Sequence, residues 1–215
     1  MWEKALIFVS PGRCGTTRIA DIFNEKLPSD KFAVTHQMSL SRVANILGNM
    51  MYYTRESEIV KEKIYEFLLH KYANRKYFIT SDPLTAMILP RRIINNDNVC
   101  IIQIIRDSES FSNSLFRLTR KNIKSFIAHN FIPFWQLYIL PFENIFNYRL
   151  EYKYKKIAEI KNDFFYNKYS NNLYFMQMSM QEIFSTNFLS NIVSEFFGYN
   201  IDVDASELYK KVNSA

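Results

Sequence analysis

Cysteine, glycine and histidine are scarce in this chain of 215 residues. The two cysteines, Cys14 and Cys100, are too few for a disulfide scaffold. Two thiols so far apart, each in or beside a predicted buried strand, read as a reduced, cytoplasmic protein. Four glycines and a hydrophobic fraction of 48% exclude a disordered or low-complexity tail. No apolar run approaches the roughly 20 residues a bilayer span needs. The N-terminal MWEKALIFVS lacks a long apolar core and a small-residue cleavage site, so it reads as a first strand rather than a signal peptide. Basic residues outnumber acidic ones, 27 to 21, but they are scattered. Without a Lys/Arg block, a zinc-finger spacing or a helix-turn-helix, nucleic acid is not an expected partner; the net +6 favours a smaller anion.

What is present is an alternation of strands and helices. Strands are predicted at 4–10, 31–36, 76–80, 98–105 and 173–179. Helices are predicted at 16–27 with a threonine cap, and at 39–50, 56–73, 84–94, 108–119 and 149–169, with a last one over LSNIVSEFFG ending at Gly198. Ile59, Ile64, Phe67 and Leu68 are expected to share the buried face of the 56–73 helix. The pattern implies an α/β fold, one domain over 1–215, with a parallel sheet flanked by helices on both faces. Ligands of such sheets bind beyond the carboxyl ends of the strands. The most apolar stretch, FIAHNFIPFWQLYILPFENIF, is interrupted by His129, Asn130, Pro133, Gln136, Pro141 and Glu143. It reads as a helix pair packed on the core. A substrate wall, a membrane-surface contact and a homo-oligomer interface through 126–146 are its alternatives.

Two motifs lie at strand carboxyl ends. In FVSPGRCGTT a strand gives way to Gly12, Arg13, Cys14, Gly15, Thr16 and Thr17, and then to helical spacing. Unpaired N–H groups at a helix start bind anions. The glycines let the backbone close around oxygens, the threonines donate hydroxyls, and Arg13 adds fixed charge. The nucleoside-triphosphatase loop needs a longer glycine spacing followed by Lys and Ser/Thr, and no Lys follows Gly15. A P-loop kinase is disfavoured accordingly, and no acidic strand end offers itself to magnesium. The second motif is VCIIQIIRDSESFSNSLF, in which Arg106 closes a hydrophobic strand and Ser114 follows eight positions later.

Together these motifs resemble the sulfotransferases that use 3′-phosphoadenosine 5′-phosphosulfate (PAPS). GRCGTT is similar to that family's 5′-phosphosulfate loop, with Arg13 at the cation, Cys14 at the usual Ser, and Gly15, Thr16 and Thr17 matching. Arg106 and Ser114 fall on the pair that binds the 3′-phosphate, with Asp107 in place after the Arg. LYFMQMSMQEIF…LSNIVSEFFGYN is similar to the family's last strand, turn and helix. The resemblance covers most of the chain. It implies a P-loop-like sulfotransferase fold, PAPS as co-substrate, adenosine 3′,5′-bisphosphate (PAP) as product, no metal, and a small-molecule, natural-product or glycan acceptor. Departures are Arg18 after Gly-Thr-Thr, where Trp or Leu is usual, and the lack of a late Arg-Lys-Gly segment, for which Lys210 and Lys211 are weak substitutes. The acceptor site is expected to be open, built from 37–60, 83–95 and 120–150.

Sulfuryl transfer asks a protein for in-line positioning, charge stabilisation and a general base. Arg13 would neutralise the leaving phosphate. His36 ends the second strand, after which some branches of the family place their base, and it is the first candidate. The cytosolic branch places a His after the third strand; here Thr80-Ser81-Asp82-Pro83 stands there, so Asp82 is the second candidate. Asp82 also reads as a turn residue. His70 reads as a solvated helix end and His129 as a core histidine or pocket wall. Arg91 and Arg92 could meet an acidic acceptor or lie on the surface. A non-catalytic nucleotide- or partner-binding module on the same scaffold stays open as an alternative.

Overall fold

The computed structural model describes residues 2–137, 150–185 and 187–203. The chain starts its architecture with β1 (Lys4–Val9), KALIFV, in which all but the first residue is buried. A near-continuous apolar run of this kind suits a strand covered on both faces. Its neighbours are β3 (Tyr77–Thr80) and β4 (Val99–Ile105), and β2 (Phe32–Thr35) and β5 (Tyr174–Ser179) complete the sheet in the order β2-β3-β1-β4-β5. Every pairing is parallel; Ile7 lies opposite both Thr80 and Ile101, and Ile105 opposite Ser179. The chain leaves β1 towards one edge and returns through β3 to β4 on the other side. That reversal opens a crevice at the carboxyl ends of β1 and β4, where open α/β sheets bind ligands.

Alternation along the strands divides the core in two. Leu6, Phe8, Ile102 and Ile104 pack with Ile19, Ile22 and Phe23 of α1 (Thr16–Lys26) and with Leu189, Val193 and Phe197 of α9 (Phe188–Phe197). Ala5, Ile7, Val9 and Ile101 face α2 (Ser41–Tyr53), α3 (Glu58–Leu69) and α7 (Leu150–Tyr169) through Ala44, Tyr65, Leu68, Phe165 and Tyr169. Each fully buried side chain of this size contributes about 1.5–3 kcal/mol of transfer free energy. Beyond β4, α5 (Ser108–Lys121) is capped by Asp107, whose carboxylate accepts from Ser110 N at 2.7 Å, and packs along α7. Gly198 ends α9 in the left-handed conformation at φ 74°, as its position in the sequence suggests.

Four expectations need correction. The cap of α1 is Gly15, left-handed at φ 71°, and no threonine side chain caps the helix. Residues 84–94 form a 3-10 turn (Ala86–Ile88) and one helical turn, α4 (Arg91–Ile94), because Pro90 lacks the N–H that a continuous helix would use. On α3 the buried face is Lys61, Tyr65, Leu68 and Leu69, while Ile59 and Phe67 are exposed; Lys61, buried but paired with the exposed Glu56, shifts the inward stripe away from the apolar count. The first helix of the apolar stretch after residue 122 is not sunk in the core, although Leu137 beyond it is fully buried. This helix, α6 (Ile123–Phe131), buries no residue, and Ile123 and Phe131 are each 68% exposed. Its continuation, including most of the 126–146 interface reading, lies outside the described residues, as do Lys210 and Lys211. Among the described residues no helix is long and apolar enough to cross a membrane.

Candidate active site

Three residues of the turn after β1 have positive φ: Gly12 at 99°, Arg13 at 58° and Gly15 at 71°. A turn of this hand exposes successive N–H groups to one side and makes an anion-binding concavity. Arg13 lacks the freedom of glycine, so its backbone stores strain on the order of 1–2 kcal/mol. Gly15 is doubly required, since a Cβ there would lie 2.6 Å from the Phe184 ring. Phe184 follows α8 (Met180–Ile183), whose first turn Ser179 and Glu182 close as a reciprocal cap. Local hydrogen bonds set the loop: Gly12 N donates to Ser10 Oγ at 3.2 Å, and Cys14 Sγ to Gly12 O at 3.0 Å. Cys14 is fully buried, and burial pushes its thiol up to about 12. It packs beneath the loop as a protonated thiol, leaving only its backbone for a ligand.

The two sequence motifs meet. Arg13 Nε donates to Ser114 Oγ at 3.1 Å, across from α5, and an Arg106 guanidinium nitrogen donates to the Arg13 carbonyl. Arg13, Arg106 and Ser114 are therefore brought together, with Ser114 bonded to Arg13 rather than to Arg106. Arg106 Nε is buried and has no hydrogen-bond partner among the described residues. Burial, and then the charge of Arg106, hold the Arg13 guanidinium below its ordinary value. Two guanidiniums this close repel each other unless an anion comes between them.

On the other side of the loop stands His36, one residue past β2. Its Nδ1 lies 3.0 Å from the Ser81 carbonyl, which can only accept, so that nitrogen carries the proton. Nε2 is then a bare lone pair and accepts the Thr17 hydroxyl at 2.8 Å. Burial lowers the His36 pKa, opposed by the Ser81 bond, and favours the neutral ring. No sequence pattern marks Ser81 for this role, and its place next to Asp82 is the one local signal. Its hydroxyl also donates to the Thr16 carbonyl at 2.7 Å, so one residue ties the histidine to the phosphate loop.

Asp82 is 2% exposed. Its two oxygens accept from Met38 N at 3.1 Å and Leu84 N at 2.9 Å, which fastens the turn after β3 to the turn after β2. Burial pushes the carboxyl up to about 6. Arg92 is tied to Glu62 and Glu66 of α3, and His70 is exposed at the start of a 3-10 turn (His70–Tyr72). His129 on α6 accepts from Gln136 Nε2 at 2.8 Å through Nδ1. Burial first, then Lys161, Lys153 and Arg13, push its ring down to about 4. Nothing in a helix rich in lysine marks Lys161 in the sequence, except that it falls in register with Tyr154, Ile157, Ala158 and Phe165. Among the described residues no cluster of three or more His, Cys, Asp or Glu could hold a metal.

Known structures share this arrangement of elements. The mouse sulfotransferase SULT7A1, solved in complex with PAP, superposes with a TM-score of 0.52 over 100% of this chain, at 17% identity. A sulfotransferase from Alicyclobacillus acidocaldarius does so with a TM-score of 0.50 over 96% of this chain, at 12% identity. The chain has the sulfotransferase fold. It spans 65% of the length of the mouse protein and 86% of the bacterial one. No family model and no curated protein sequence matches the chain. With the sulfotransferase fold in place, the loop at 12–17 and the Arg106 strand end lie side by side at its topological switch point.

Proposed function

We propose that this protein moves a sulfuryl group from PAPS to a hydroxyl or amine of a small-molecule, natural-product or glycan acceptor. The observation that carries this reading is the joined pair of anion sites. A nest of N–H groups holds Arg13, and Arg13 is bonded both to Arg106 and to Ser114. PAPS bears a 5′-phosphosulfate and a 3′-phosphate on one adenosine, so it needs two neighbouring sites. The unpartnered Arg106 Nε is a donor waiting for an oxyanion, and the residues present fit the donor molecule.

In this reading the N–H groups of 13–17 and the Thr16 and Thr17 hydroxyls hold the 5′-phosphate. Arg106 and Ser114 hold the 3′-phosphate. Transfer forms an acceptor O–S bond and breaks the S–O bond to the 5′-phosphate, which keeps the electron pair. Arg13 stabilises the charge that collects there. His36 takes the acceptor proton on Nε2, its lone pair passing from the Thr17 hydroxyl to the acceptor hydroxyl. The Ser81 carbonyl keeps the other nitrogen protonated and the ring oriented. Asp82, with both oxygens engaged by backbone N–H groups, positions the turn that carries Ser81.

Calorimetric titration with PAP tests the donor site, on the native protein and on Arg106→Ala, with ATP as the control. Expected are micromolar or tighter binding of PAP and a loss of at least about a hundredfold in Arg106→Ala, the equivalent of two charge-assisted hydrogen bonds. Binding of ATP in preference to PAP overturns the reading. PAP binding without transfer of labelled sulfate from PAPS to any acceptor leaves the non-catalytic module.

A further inference from the structure

Lys161 occupies a position that a hydrophobic residue would fill. It lies in the inward stripe of α7 between Ala158 and Phe165, is 3% exposed, and has no ion-pair or hydrogen-bond partner among the described residues. Burying an ammonium without a counter-charge is costly, and a fold with no use for it would place Leu or Met there. Its neighbour Asn162 fixes its height in the molecule. The Asn162 carbonyl accepts from Gln103 Nε2 at 2.8 Å, and Asn162 Nδ2 reaches the Arg106 carbonyl at 3.5 Å. Lys161 therefore lies at the carboxyl end of β4, beside the joined anion sites.

A second ammonium approaches from one end. Lys153 Nζ is 3.4 Å from the His129 carbonyl and 3.2 Å from Asn130 Oδ1, and no carboxylate among the described residues pairs with it. Lys161, Lys153 and Arg13 each add to the positive field that holds the His129 ring neutral. Three buried amide oxygens, Gln103 Oε1, Gln136 Oε1 and Asn162 Oδ1, have no donor among the described residues; Gln103 and Asn162 touch each other, and Gln136 touches His129. Unpaired cations call for an anion, and unpaired carbonyl oxygens call for O–H groups. One ligand class satisfies both, a polyhydroxylated organic anion such as a sugar acid.

Resting on the sulfotransferase reading, we infer that Lys161, Lys153 and His129 form an acceptor subsite beside Arg13 for the anionic group of a hydroxylated acceptor. The same oxyanion chemistry could come from the sulfuryl group of the donor, and the two sources are separable. The protein is saturated with PAP and titrated with D-glucuronate, with methyl glucoside and with inorganic sulfate, as wild type, Lys161→Met and Lys161→Arg. Expected are glucuronate and sulfate binding without glucoside binding, each weakened about tenfold or more in Lys161→Met and retained in Lys161→Arg. Thermal unfolding of unliganded Lys161→Met should match or exceed that of wild type, because an unpaired buried charge is removed. Three results overturn the subsite: glucuronate and sulfate binding unchanged in Lys161→Met, sulfate weakened while glucuronate is not, or PAP itself weakened tenfold. A lower melting temperature with unchanged anion binding makes Lys161 a purely structural residue. If Lys161→Met does not fold, half-buried Lys153→Met takes its place with the same readouts. Absence of PAP binding to wild type, with Lys161-dependent sulfate binding intact, fails the donor reading and leaves the anion site standing.

Discussion

The two faces of the sheet are built from the same strands and solve different problems. Towards α1 and α9, Leu6, Phe8, Ile102 and Ile104 meet aliphatic and aromatic side chains, and Arg18 is the charged residue buried on α1. Towards α2, α3 and α7, the core takes in Lys61, Asp82, Asn45, Asn49, Lys161 and the hydroxyls of Tyr65 and Tyr169. Lys61 is answered by Glu56, Asp82 by two backbone N–H groups, and Tyr169 by the Ala86 carbonyl. The first face stores folding free energy. The second gives some of it up to hold polar groups at fixed places around the mouth of the site.

The division can be broken most forcefully on the apolar side. Phe8→Ala should cost about 3–5 kcal/mol of stability, because the close-packed cluster around Phe23 collapses only in part onto the cavity. Urea unfolding measures this; a loss below about 1 kcal/mol would mean that this face does not dominate the fold. The polar side should respond the other way round. His36→Gln is expected to lower kcat by about a hundredfold or more, with PAP affinity unchanged within about twofold. The activity of the wild type should fall as pH drops through a pKa below that of free imidazole, since burial disfavours the protonated ring. An unchanged acid limb in His36→Gln would remove the residue from the chemistry.

The smallest expected effect concerns Asp82. Its folded pKa, raised to about 6 from an ordinary 3.8, means that folding takes up a proton between those values. Stability contributed by this group is present below about pH 4 and is lost as pH rises through about 6, a change on the order of 2–3 kcal/mol. Melting temperatures from pH 4 to 8 should therefore show a decline in wild type that Asp82→Asn flattens. Parallel curves for the two proteins would count against the buried carboxylate as the source.

The apolar face is the one that the sequence declares. Continuous hydrophobic runs mark β1 and β4, and the spacing in α9 and its terminal Gly198 mark the helix that covers them. The Arg106–Ser114 spacing is readable because Arg106 directly follows β4 and Ser114 lies on the next helix, α5, each with a fixed rise per residue, so a count along the chain becomes a place in space. The polar face hides for the opposite reason. Lys161 makes the α7 stripe look like a helix without a face, and Lys61 does the same for α3. The nearer partner of Lys61, Glu56, lies outside its own helix, and Lys161 finds none among the described residues, so periodicity alone cannot separate them from solvated lysines. Strand order, and with it the meeting of Arg13 and Ser114, depends on long-range pairing that no local spacing encodes.

The carbonyl that fixes the tautomer of His36 belongs to the backbone of Ser81. Every amino acid carries that oxygen. Point mutations at position 81 can therefore strip the hydroxyl from the loop without erasing the instruction that tells the imidazole which nitrogen to leave bare. The acid–base state of this ring is written where the genetic code has few means to edit it, while the charges at positions 13 and 106 can each be lost in a single substitution.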